Sequence, residues 1–168
     1  MDAIDKAFES HRNHYQDLSE IKGIIAVVNY RQPSNEKRLY VIDVATKQIL
    51  YSHYVAHGTA STCQNDISRA CQFSNVVGSR KSSLGAMKTG NIYYGKYGKS
   101  LKLIGLDESN NLVFKRFIVM HPSAYVTAEY IRKNGYAGRS WGCLAISPDE
   151  SDQLIEQLKN GVFIYAHY

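Results

Sequence analysis

The chain has 168 residues, a formal net charge of +5, 44% hydrophobic residues, and 13 tyrosines against 5 phenylalanines, a bias that suits half-buried strands and groove walls. That length points to one domain that needs neither metal nor disulfide to fold, and its basic residues are dispersed, with no zinc-finger spacing and no arginine stripe, which argues against nucleic acid as a partner. No apolar run is long enough to cross a bilayer, no basic segment precedes an apolar one at the N-terminus, so no signal peptide is expected, and three cysteines leave the redox compartment open.

Ile4, Phe8, His11, Tyr15 and Leu18 recur at helical steps and predict an amphipathic helix over about residues 2–18. Residues 24–30 form a β-branched run that reads as a buried strand. After a turn at 32–35, residues 38–44 and 48–55 predict a hairpin. From Gly58 to Gly90 the chain is rich in Ser, Thr, Gly and Asn, and a loop of that length is usually functional or disordered. Strands are expected again at 92–94, 100–106 and 112–120, the last two as a hairpin across 107–111. A short helix is expected over 125–133. Ser147 predicts the cap of another helix, with Pro148 at its first position and Glu150 closing a capping box. That helix would bury Leu154, Ile155 and Leu158 and stop at Gly161, ahead of a last strand at 162–165. The class is a β-rich α+β domain with helices at its edges.

Chemistry concentrates in Arg139-Ser140-Trp141-Gly142-Cys143. A glycine before a cysteine permits a sharp turn in which backbone amides converge beside the sulfur, as an oxyanion hole requires. Leu144-Ala145-Ile146 then enters a strand, which sets the thiol at a strand mouth. Locally, a reactive thiol and a buried inert cysteine stay equally open. His121, just past the 117–120 run and before Pro122, reads as a base facing a neighbouring strand end or as a histidine that ends a strand. Only His167 follows Cys143, so the cysteine-first order of papain-like enzymes fits poorly.

His121 followed by Gly138-Arg139-Ser140-Trp141-Gly142-Cys143 resembles the signature of the murein L,D-transpeptidase catalytic domain (the YkuD-like family), where a histidine precedes a Ser-x-Gly-Cys element. Val55-Ala56-His57-Gly58, Phe73-Ser74-Asn75 and the stretches 79–85, 93–103 and 118–121 are similar to a divergent branch with a Ser-Trp-Gly-Cys core, over about residues 38–147. The resemblance implies a β-sandwich-like core with an N-terminal and a C-terminal helix. Residues 1–22 would be a helical segment and 23–168 the catalytic part of a single domain. It implies a periplasmic or cell-wall location with any leader removed, peptidoglycan stem peptides as substrate, no stable membrane insertion and no cofactor or metal, with a monomer as default.

By position, the resemblance makes Cys143 the nucleophile and His121 its base, with Ser140 and Gly142 shaping the site. Arg139, Trp141, His57, Gly58, Ser82, Ser83, Gly85 and Tyr94 would face substrate. Three positions depart from the common form: Trp141 stands in place of a histidine, Leu144-Ala145 where an arginine often follows, and Pro122 in place of a small residue. The function so implied is acyl transfer from a tetrapeptide stem through a thioester. An L,D-carboxypeptidase using the same residues and a non-catalytic wall-binding module are the alternatives. His53 and His57 share a strand face near Cys63 and Cys71, but the spacing matches no standard zinc pattern. With the extracytoplasmic location that the resemblance implies, Cys63 and Cys71 are expected to pair, two free thiols being the alternative. Arg80, Lys81, Lys88 and Lys96 read as solvated surface ahead of contacts to substrate carboxylates.

Overall fold

The structure, a computed structural model of the chain, describes residues 2–15 and 22–168. Helix α1 spans Ala3–His14, with the Asp2 carboxylate accepting the Ala3 N–H at 2.6 Å. It is shorter than the periodicity predicts, because Tyr15 caps it, and Leu18 lies outside the described residues. The strands are β1 (Ile24–Asn29), β2 (Leu39–Asp43), β3 (Ile49–His53), β4 (Thr62–Cys63), β5 (Asp66–Ala70), β6 (Gly85–Gly95), β7 (Gly98–Gly105), β8 (Val119–Pro122), β9 (Leu144–Ile146) and β10 (Phe163–His167). Helices α2 (Ala128–Asn134) and α3 (Pro148–Leu158) complete the set.

Eight strands form one mixed sheet in the order β3-β2-β1-β10-β6-β7-β8-β9, with β1/β10 and β8/β9 parallel and the other pairs antiparallel. Alternation along β1 sends Ile25 and Val27 to a cluster with Ala3, Ala7 and Phe8 of α1, and Ala26 and Val28 to the opposite cluster. Burial on both faces is why its sequence is an unbroken apolar run. The second cluster gathers Leu39 and Val41 of β2, Met120 of β8 and Leu144 of β9 around Leu154, Ile155 and Leu158 of α3. The two ends of the sheet thus share one core, and the layering is that of a β-rich α+β domain carrying a helix near each end of the chain.

Several expectations are corrected. The long loop ends at Gly85 rather than Gly90, since β6 is an eleven-residue strand held between β10 and β7. The loop itself contains the β4/β5 hairpin, closed by a Cys63–Cys71 disulfide with Cα atoms 5.0 Å apart. Residues 112–117 are not strand. Asp107 and Asn110 cap a short 3-10 turn, and the Asn110 amide donates to Leu84 O and Ala86 O, holding that segment off the sheet. Only β8 remains to pair with β7. Ser147 does occupy the cap position of α3 but makes no side-chain bond there. The capping box fails because Glu150 turns outward to His53, Oε2 to Nδ1 at 2.8 Å. No described helix is long and apolar enough to cross a membrane.

Candidate active site

The turn leading into β9 is stapled by its own serine. Buried Ser140 Oγ accepts the Gly142 N–H at 3.1 Å and donates to Cys143 O at 2.7 Å. Its backbone is tied as well, N–H to His57 O at 3.0 Å and carbonyl to the Thr59 N–H at 2.8 Å. Gly142 sits at φ +114, where a Cβ would come within 2.7 Å of Lys81 O and 2.9 Å of Ile118 Cδ1. Conformation and space both require glycine here. Among the described residues the Gly142 amide is used inside the turn, whereas that of Cys143 takes no partner.

Strand pairing brings His121 to this turn. In the parallel β8/β9 pair Met120 faces Leu144 and His121 faces Ala145. Met120 and Leu144 both enter the α3 core. Alternation therefore turns His121, and Cys143 just ahead of β9, to the other face as diagonal neighbours. His121 is buried and lies flat on Tyr97, ring centroids 4.3 Å apart at 18°. Its Nδ1–H donates to Pro122 O at 2.9 Å, which fixes the tautomer and leaves Nε2 as an acceptor. Burial holds its pKa below the usual histidine value, with the Pro122 bond opposing.

The Cys143 thiol donates to Phe117 O at 3.5 Å. Phe117 holds a left-handed φ of +55 with its ring 83% exposed, a costly backbone state that aims its carbonyl at the sulfur. Burial pushes the thiol pKa up, while the Val119 amide and the Arg116 guanidinium pull it down. These directions make Cys143 a thiol and His121 a neutral imidazole at neutral pH. Tyr125 lies within electrostatic reach of the thiol: burial raises its phenol pKa most, the Ser123 hydrogen bond lowers it, and the charges of Cys143 and Tyr97 raise it further.

The residues expected to face substrate divide into two groups. Trp141 (66% exposed), Arg139 and Tyr94 are at the surface. Trp141 joins Gly78, Arg80, Arg116 and Ile118 around a cleft of about 240 Å³ on one side of the turn. Arg139, with Thr59, Tyr125, Tyr130, Tyr136 and Gly138, lines a separate cleft of similar volume. His57, Gly58, Ser82 and Ser83 are buried, and polar atoms of each bond within the protein. Ser82 Oγ accepts the Gly58 N–H at 2.9 Å, and Ser83 Oγ accepts from Arg116 Nη1 at 2.9 Å. Gly85, at φ +92, starts β6 against Asp107. His57 Nδ1 accepts from Arg38 Nη2 at 2.9 Å, and burial together with the Arg38 charge takes its pKa down to about 3.

Arg116 has no sequence signal, because it falls inside the run misread as a strand. It donates to Ser74 O (2.6 Å), Ser83 Oγ (2.9 Å), Ser79 Oγ (3.2 Å) and Lys81 O (2.6 Å). The 74–83 loop is thereby folded onto the site, Lys81 O pressing on Gly142.

The chain matches the family described as L,D-transpeptidase catalytic domain over residues 1–167. No curated protein matches it. Among solved structures it is similar to an L,D-transpeptidase from Mycobacterium smegmatis, with TM-score 0.51, 11% identity, 87% of this chain and 59% of that one covered. It is similar also to the L,D-transpeptidase of Xylanimonas cellulosilytica (TM-score 0.51, 10% identity, 87% and 61%). A third is that of Stackebrandtia nassauensis (TM-score 0.50, 14% identity, 99% and 65%). These likenesses bear on the fold alone, and the chain spans about three-fifths of the length of those structures.

Proposed function

Because the chain belongs to the L,D-transpeptidase catalytic domain family, we propose that it is a cysteine acyltransferase acting on peptidoglycan tetrapeptide stems at the cell wall or in the periplasm. The observation that carries this reading is the parallel β8/β9 pair, with a histidine on the same face as a cysteine, the histidine Nε2 and the cysteine amide both without a hydrogen-bond partner among the described residues. As the sulfur swings from Phe117 O to the substrate, His121 Nε2 takes its proton and the sulfur attacks the carbonyl at the L-centre of the third stem residue, diaminopimelate in our reading. The Cys143 N–H receives the oxyanion; the Gly142 amide is committed to Ser140 and does not share that role. The C–N bond breaks, the leaving D-alanine amine takes the proton from His121, and a thioester remains. An acceptor amine then attacks the thioester, giving its proton back through His121 as the thiol is restored.

Disaccharide-tetrapeptide should yield a dimer one D-alanine lighter than two substrates, and a carbapenem should leave a mass adduct on the parent protein that Cys143→Ala lacks. Tripeptide as sole product would make the enzyme a carboxypeptidase. An undiminished adduct on Cys143→Ala would sink the nucleophile assignment, and unchanged stem peptides would leave the wall-binding module as the better account.

A further inference from the structure

The acyl-transfer chemistry leaves one residue beside the site without a task. Arg80 occupies the left-handed region at φ +56, a state that costs a side chain-bearing residue. Its backbone is locked there: its carbonyl accepts the Ala60 N–H at 3.2 Å and lies against the Gly58 Cα, where any side chain would collide. Its other end is held too. The guanidinium carbon lies 4.2 Å from the centre of the exposed Trp141 ring. A side chain that would otherwise sweep through solvent is thus fixed at both ends, on the wall of the cleft it forms with Gly78, Arg116, Ile118 and Trp141.

The cleft is positively charged and uncompensated. Two arginines line it and no carboxylate does. Among the described residues neither arginine has an acidic partner. Arg116 has both terminal nitrogens committed to the 74–83 loop, so it supplies charge. Arg80 has no protein acceptor among the described residues and keeps its donors. The cleft also adjoins the nucleophile's turn, since Ile118 packs against Gly142.

We propose that this cleft is an anion subsite, that Arg80 is its specificity-determining residue, and that its ligand is a carboxylate of the peptide attacked by Cys143. This rests on the acyl-transfer reading. A guanidinium stacked on an indole presents its N–H edge outward, in the fork geometry that matches two carboxylate oxygens. An amidated peptide offers no such pair and no charge. The two residues joined by the scissile bond carry two free carboxylates: the C-terminus of the leaving D-alanine, and that on the side chain of the third residue.

Binding, measured calorimetrically on Cys143→Ala protein so that no turnover intervenes, tests this. The probes are the tetrapeptide, its C-terminal amide and its third-residue side-chain amide. With Arg80 present, the full acid should bind about tenfold more tightly than one of the two amides, the order of one exposed charge-assisted contact. Arg80→Gln should erase that difference by weakening only the probes that keep the relevant carboxylate, and the amide it leaves unaffected identifies the source. Arg80→Lys, which keeps charge but loses the fork, should fall between. Equal binding of all three probes with Arg80 intact, an equal loss for all three in Arg80→Gln, or no binding of any probe would overturn the proposal. Thioester formation on intact Cys143 is scored separately. Carboxylate-selective binding without a thioester keeps the subsite and discards the reaction, and a thioester without carboxylate selectivity does the reverse.

Discussion

On the acyl-transfer reading His121 is the base for the Cys143 thiol, and burial acts on both groups. Burial lowers the His121 pKa and raises that of Cys143, so across the neutral range the sulfur keeps its proton and Nε2 carries none. On that reading, lowering pH protonates Nε2 and removes the base, and raising it strips the proton needed by the leaving amine. The pH profile of kcat/KM should therefore be bell-shaped, its acid limb below the ordinary histidine value of 6.5 and its alkaline limb above the ordinary thiol value of 9.0. His121→Ala should cost about 10²–10⁴ in rate and abolish the acid limb. Stopped-assay rates across pH 4–10 check this, and an acid limb that survives the substitution would mean another base. His57 is a poor substitute, since its Nδ1 already accepts from Arg38.

At the scale of elements, the strand mouth depends on one glycine. Gly142→Ala must relieve a positive φ and push Lys81 O and Ile118 away. It is expected to lower stability by about 2 kcal/mol, by urea midpoint, and to slow carbapenem acylation at least about a hundredfold. The turn and its histidine were legible in the sequence because motif and chain order are local and directional. The helices α1 and α3, strand β1 and the β2/β3 hairpin were legible from periodicity. Of strand β6 only residues 92–94 were: Gly85, Thr89 and Gly90 look like loop, and the first half of the strand exists because β10 and β7 bond it on both sides, across a register shift between Thr89 and Ile92. The opposite error at residues 112–117 has the same root. Their apolar pattern suits a strand, but the Asn110 amide bonds Leu84 O and Ala86 O, a tertiary contact that no local pattern announces. Arg116, Tyr97 and Tyr125 gather at the site by such contacts alone.

For the whole molecule, the buried Arg38–His57 pair ties stability to acidity. Arg38 is fully buried, donates to Val55 O, Gln32 O and His57 Nδ1, and stays charged, its pKa lowered only to about 10 by burial. His57 binds its proton near 6.5 when unfolded but near 3 when folded. Between those values the unfolded chain binds more protons, so stability rises with pH. The contribution, on the order of several kcal/mol, is fully present above about pH 6.5 and is lost as pH falls toward 3. Urea midpoints at pH 7 and pH 4 should differ markedly for the parent and much less for His57→Gln. The sheet order has a kinetic corollary. β10 lies between β1 and β6, parallel to one and antiparallel to the other. Until residues 163–167 arrive, β3-β2-β1 and β6-β7-β8-β9 are two part-sheets, each exposing a raw edge that matches the other's missing neighbour. Such a chain closes its longest loops last, which predicts slow, high-contact-order folding and a nascent state prone to pair with copies of itself.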